Sequence, residues 1–130
     1  MLDTDVLIAA LDRGDTHHRR AAEAIADMIE RGFDLLLSTI NYAEALVRPA
    51  EHEKTMQAAV DAIAALGIRP VAPTAAIARD AARYRSLGVS LADGFALATA
   101  RARSASVASF DSRVRRAMSE LEIEAPEQLT

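Results

Sequence analysis

The chain has 130 residues, 51% of them apolar, so it is long and apolar enough to close a core and is not a disordered segment. It has no cysteine, which excludes disulfides and thiolate metal sites, and only three histidines, which points away from zinc and toward hard, oxygen-ligated cations. The net charge of −4 argues against nucleic-acid binding by the whole surface but leaves room for a local basic patch, and 14 Arg stand beside a single Lys, Lys54.

Leu2-Asp3-Thr4-Asp5-Val6-Leu7-Ile8 places two carboxylates inside an apolar run. Desolvating a lone carboxylate costs on the order of several kcal/mol, so water, an Arg or a metal must compensate. A short strand ending at Asp3, followed by a helix from Asp5 to about Leu11, explains the pattern and puts acids at the carboxyl end of a strand. For this pair alone, helix capping by Asp and Thr is the simpler reading. Asp15-Thr16 should cap a helix to about Arg31 with Ala22, Ile25, Ala26 and Ile29 inward, ended by Gly32. Phe33 to Ser38 reads as a strand buried on both faces. Thr39 to Val47 reads as a helix stopped by Pro49, and Glu51 to Leu66 as another, ended by Gly67. Ile68 to Val71 is a third short strand, and Thr74 to Leu87 a helix ended by Gly88. Ser90 starts an Ala-rich helix to about Ala102, Ser106 to Phe110 is a fourth strand, and Asp111 to Glu120 is a helix. Leu121-Glu122-Ile123-Glu124 alternates as an edge strand with one wet face does. Strands alternating with helices imply an α/β fold with a parallel sheet and right-handed crossovers, and with no repeat or linker the chain reads as a single domain, 1–130. No stretch reads as a bilayer span or signal peptide, so a cytoplasmic protein is expected, with no membrane partner.

On this map Asp3 ends the first strand, Glu44 lies on the helix after the second, Asp93 opens the helix before the fourth, and Asp111 follows the fourth at once. Each has a plain alternative. Ser90 and Asp93 have capping-box spacing, Asp111 suits a helix cap, and Glu44 suits a solvated face. Four acids delivered to one edge of a sheet, however, would repel each other without a cation. Magnesium or manganese takes oxygen ligands, activates water and stabilises a phosphoryl transition state.

The chain resembles the PIN-domain family, and within it the VapC-type toxins of bacterial toxin–antitoxin pairs. The resemblance covers nearly the whole chain. It rests on Leu2-Asp3-Thr4 with Val6-Leu7-Ile8, on Ser38 through Ala43-Glu44-Ala45-Leu46, on Ser90-Leu91-Ala92-Asp93 with Ala96 and Ala98, and on Ser109-Phe110-Asp111. It implies a three-layer domain with a central parallel sheet of order 3-2-1-4-5 and magnesium-dependent ribonuclease activity. Asp3, Glu44, Asp93 and Asp111 match the family's acidic quartet as catalytic and metal-binding residues, and Ser109 its hydroxyl residue. Thr4 is matched as a supporting residue. Asp5 departs from the usual Asn or Ser and adds a fifth carboxylate, either in the site or capping a helix. The resemblance further implies an RNA substrate, a cognate antitoxin that blocks the site, and a homodimer.

Arg113, Arg115 and Arg116 follow Asp111 on its helix, where RNA backbone contact competes with a solvated face. His17 and His18 receive no role. Met28, Met56 and Met118 read as gap fillers, and Tyr42 and Tyr84 as packing residues. Two other functions remain open. Asp3-Thr4-Asp5 also fits a haloacid-dehalogenase-like phosphatase, but Lys54 falls mid-helix and no late acidic pair follows Asp93. A catalytically inactive binding module is the other, against which the intact quartet speaks.

Overall fold

Alternation along three extended segments divides the interior in two. In the computed structural model, which describes residues 1–130, Leu2, Leu35, Leu37 and Ala108 face one apolar cluster, whereas Met1, Leu36 and Val107 face another. Successive side chains of an extended chain point to opposite sides, so these segments form a layer with apolar material on both faces. The first cluster is closed by α1 (Thr4–Leu11), α2 (His18–Glu30), α3 (Thr39–Leu46) and α4 (Glu53–Ala65). The second is closed by α5 (Ala75–Arg83), α6 (Leu91–Ala102) and α7 (Ser112–Glu120). Two strands, β1 (Leu36–Ser38) and β2 (Arg69–Val71), pair in parallel with Leu36 opposite Arg69 and Ser38 opposite Val71. The α/β class and the parallel sheet therefore stand. No helix is long and apolar enough to cross a membrane.

The sheet is shorter than its sequence suggests. The first and fourth expected strands meet in a single parallel bridge, Leu2 with Ala108. Leu2 N–H donates to the Leu36 carbonyl at 2.8 Å, and Asp3 N–H to the Ala108 carbonyl at 2.9 Å. The expected edge strand at Leu121–Glu124 is cut short: Leu121 and Glu122 form a turn, with Glu122 at a left-handed φ of 57°, and no strand pairing forms there. Its alternation survives in burial, with Ile123 inside and Glu122 and Glu124 outside, and Val107 N–H donates to the Glu124 carbonyl at 2.9 Å.

The helices depart from expectation mainly at their ends. Asp15 does not cap α2: its Oδ1 accepts from His17 N–H at 2.8 Å in a turn before the helix. The buried stripe of α2 is Ala21, Ala24, Ile25 and Met28, while Ala26 and Ile29 are exposed. His18 Nδ1 lies 2.8 Å from the Ala9 carbonyl of α1, which pins the first turn of α2 and sets its rotation. A 3-10 turn at Pro49–Glu51 precedes α4, and another at Tyr84–Leu87 extends α5 until Gly88 turns left-handed at φ 83°. Gly94 marks where α6 crosses α5, since a Cβ there would lie 2.9 Å from the Ala81 carbonyl. That close crossing fixes the helix that carries Asp93.

Candidate active site

Asp3 is the residue on which the site closes. It ends the first extended segment and caps α1, with Oδ1 accepting from Thr4 N–H at 2.9 Å. Only 2% of it is exposed. Oδ2 accepts from the Ser109 hydroxyl at 2.7 Å, and the same Ser109 oxygen accepts from Asp111 N–H at 3.1 Å. Burial raises the Asp3 pKa from its ordinary 3.8 to about 7, helped by the nearby charge of Asp5 and then Asp93, and opposed by the bonds from Ser109 and Thr4.

Asp5 lies in the first turn of α1. Its Oδ2 accepts from Phe110 N–H at 2.9 Å, while Oδ1 is buried with no hydrogen-bond partner. Burial raises its pKa too, with Asp111 and Asp93 adding repulsion against the bonds from the Phe110 and Val6 amides. Of the two roles open to Asp5, the cap belongs to Asp3, and Asp5 stands among the acids.

The remaining acids arrive on helices. Ser38 caps α3, on which Glu44 Oε1 accepts from the Thr4 hydroxyl at 2.5 Å. Asn41, one turn earlier, is fully buried and donates through Nδ2 to Thr4 Oγ1 at 3.0 Å and to the Ala92 carbonyl at 3.3 Å. It ties α1, α3 and the start of α6 together. Its one signal in the sequence is the i,i+3 spacing from Glu44, which puts both on one helix face. Ser90 caps α6 by accepting from Asp93 N–H at 3.1 Å, as its spacing suggested. Asp111 caps α7, its Oδ1 accepting from Arg113 N–H at 2.8 Å. Direct bonds thus join Asp3, Thr4, Ser109 and Asp111, and Glu44 joins through Thr4; Asp93 acts on Asp3 and Asp5 through its field. No three acidic or imidazole side chains are gathered into a ready-made coordination group.

The three arginines divide. Arg115 donates to the Ser109 carbonyl at 3.2 Å and the Leu129 carbonyl at 2.9 Å, so it ties the chain's last turn to the site and is not a free phosphate contact. Arg113 and Arg116 are exposed. Beside the acids lies a cleft of about 400 Å³ lined by Asp5, Ile8, Asp15, His17, Phe110 and Asp111. The His17 ring stacks on Phe110 with centroids 4.6 Å apart, and the Arg20 guanidinium lies 5.4 Å from the Phe110 centroid. A larger apolar groove of about 720 Å³ borders Thr4 and Glu44 between α1, α3 and α4.

The PIN domain family model matches residues 1–119. The chain belongs to the PIN domain family. The family read from four short motifs is thus the family of the chain. Among solved structures this PIN domain is similar to FitAcB from Neisseria gonorrhoeae, at 23% identity and a TM-score of 0.70, over 98% of this chain and 96% of that one. It is similar to VapC20 of Mycobacterium tuberculosis, a sarcin-ricin loop cleaving toxin, at 20% identity and a TM-score of 0.70, over 89% of this chain and 92% of that one. At these identities the likeness is one of fold. No curated protein matches the chain.

In type, though not yet gathered around one point, the donors suit a hard divalent cation. The charges that act on Asp3 and Asp5 are carboxylates, while Arg113 pairs with Asp111 at 3.6 Å, and the partnerless Asp5 Oδ1 and the mutual repulsion of Asp3, Asp5 and Asp93 are what such an ion offsets.

Proposed function

We propose that this PIN domain is a magnesium- or manganese-dependent endoribonuclease and the toxin of a toxin–antitoxin pair. The observation that carries the reading is Asp3, buried, held by Thr4 and Ser109, and pressed toward neutrality by burial and by other acids. Asp3, Asp93, Asp111 and Glu44 would hold the ion, which when bound makes water a nucleophile and steadies phosphoryl charge. Thr4 N–H and the Ser109 hydroxyl fix both oxygens of Asp3, so its orientation is set before substrate arrives. The Thr4 hydroxyl, held in turn by Asn41, orients Glu44. Arg113 and Arg116 lie within reach of solvent on the helix that Asp111 caps, where they meet the RNA backbone.

The extended segments are read as one parallel sheet of order 3-2-1-4-5 within a single domain, supported by the bonds from Arg69 to Leu35, Leu2 to Leu36, Asp3 to Ala108 and Val107 to Glu124. Asp3 and Asp111 then leave neighbouring strands, where such sheets bind ligands. The apolar groove beside Thr4 and Glu44 gives an antitoxin a seat from which to cover the acids, and the active species is taken as a homodimer. The PIN family match weighs against the phosphatase reading, as does Lys54, which stands exposed on α4.

The test is cleavage of a structured RNA by the purified protein. Magnesium should support cutting, EDTA should stop it, and Asp93→Asn should remove it with the circular dichroism spectrum unchanged. Cleavage that survives both EDTA and Asp93→Asn would refute the mechanism.

A further inference from the structure

We infer that the His17–Phe110 stack is a seat for an unpaired RNA base beside the acids, an inference that rests on the ribonuclease reading. Phe110 stands between Ser109 and Asp111, and its N–H is bonded to Asp5 at 2.9 Å, so its ring is fixed one residue from two groups of the site. The exposed His17 ring lies on it at 4.6 Å and 21° from parallel. Arg20 lies over the same ring and supplies a planar cation at the edge of the platform. Aromatic residues make up only 4% of the chain, and this stack lines the cleft that Asp5 and Asp111 also line.

Beyond its contact with Phe110, the His17 side chain makes no hydrogen bond that the fold uses. It sits at the cap position of α2 but makes no side-chain capping bond, and its ring is exposed. The charge around the stack says which part of RNA it receives. Asp5, Asp15 and Asp111 line the same cleft against the one cation, Arg20, at the stack, so away from a bound metal ion the cleft favours a neutral base over a phosphate. A base uses its face for stacking and is free to do so only when unpaired, so the seat takes one base turned out of any duplex. The stack touches the base and not the reacting atoms; His17 and Phe110 are therefore positioning residues.

The test uses a short single-stranded RNA carrying 2-aminopurine at one position at a time, bound with magnesium to the Asp93→Asn protein. One position should lose fluorescence on binding. Adding His17→Ala should abolish that quench and weaken binding about 5- to 150-fold, while His17→Phe should restore both. In the otherwise native enzyme His17→Ala should raise KM and leave kcat within about twofold. Both variants change an exposed ring, so the fold is left standing. If His17→Ala binds and quenches like its parent, the stacking seat is wrong even where the enzyme cuts RNA. Quenching by a protein that never cuts RNA would keep the seat and refute the ribonuclease. A protein that neither binds nor cuts overturns both.

Discussion

Replacing Asp3 with Asn should make the metal-free protein more stable at neutral pH. The Asp3 pKa stands at about 7 against its ordinary 3.8. Between those values the folded state holds a proton that the unfolded chain has released, so stability falls as pH climbs from about 4 to 7. A rise of roughly three pH units corresponds to about 4 kcal/mol once both states are ionised. Asn keeps the oxygen that accepts from Thr4 N–H, but it turns an amide toward Ser109, whose hydroxyl proton loses its acceptor. That costs about 1 kcal/mol. Asp3→Asn should therefore gain about 3 kcal/mol at pH 8, lose about 0.5 kcal/mol at pH 4, and cross zero at about pH 4.5. The buried α-amino group of Met1, lowered to about 6, adds a rise in stability between about pH 6 and 8, but it is common to both proteins and cancels in the difference. Urea unfolding followed by circular dichroism in EDTA, from pH 4 to 8, measures the curve. A constant destabilisation at every pH would mean that Asp3 is a helix cap and nothing more.

Asp111→Asn keeps the cap on α7, because Asn and Asp cap equally well, so it isolates the charge: the melting temperature should rise in EDTA, while the gain from added magnesium shrinks. Asp111→Ala should lie about 1 kcal/mol below Asp111→Asn with or without metal, through loss of the cap, and a melting temperature for Asp111→Asn that falls equally in EDTA and in magnesium would remove Asp111 from the site. Arg113→Gln and Arg116→Gln together should reduce the salt slope of RNA binding by about 1.4, whereas Arg115→Gln should leave the slope alone and destabilise the fold by about 1–3 kcal/mol through two orphaned carbonyls. Gly94→Ala should cost about 1–3 kcal/mol in urea unfolding, because the added methyl meets the Ala81 backbone; a neutral result would mean that α6 and α5 can separate freely.

The acids were legible because each stands in a short motif beside a helix start: Asp3, Asp93 and Asp111 all fall in or at capping turns that the sequence announces. Their convergence was readable only through the resemblance, since nothing local says that residues at positions 3, 93 and 111 share a field. What depends on rotation or distant contact was not legible. Two neighbouring Ala-rich stripes run along α2, and His18 at Ala9 decides which is buried. The turn at Glu122 mimics a strand in its alternation because a left-handed residue still leaves Ile123 inside. Asn41 reads as an ordinary polar residue until Thr4 and Ala92 are brought to it. His17 and Phe110 meet across nearly the whole chain, and no pattern in either stretch points to the other.

Manganese binding, read by electron paramagnetic resonance with magnesium as competitor, tests the four-acid site most directly. The native protein should bind manganese, magnesium should displace it, and Asp3→Asn, Asp93→Asn, Asp111→Asn and Glu44→Gln should each weaken binding by at least about tenfold. Manganese affinity unchanged in all four variants would contradict the account.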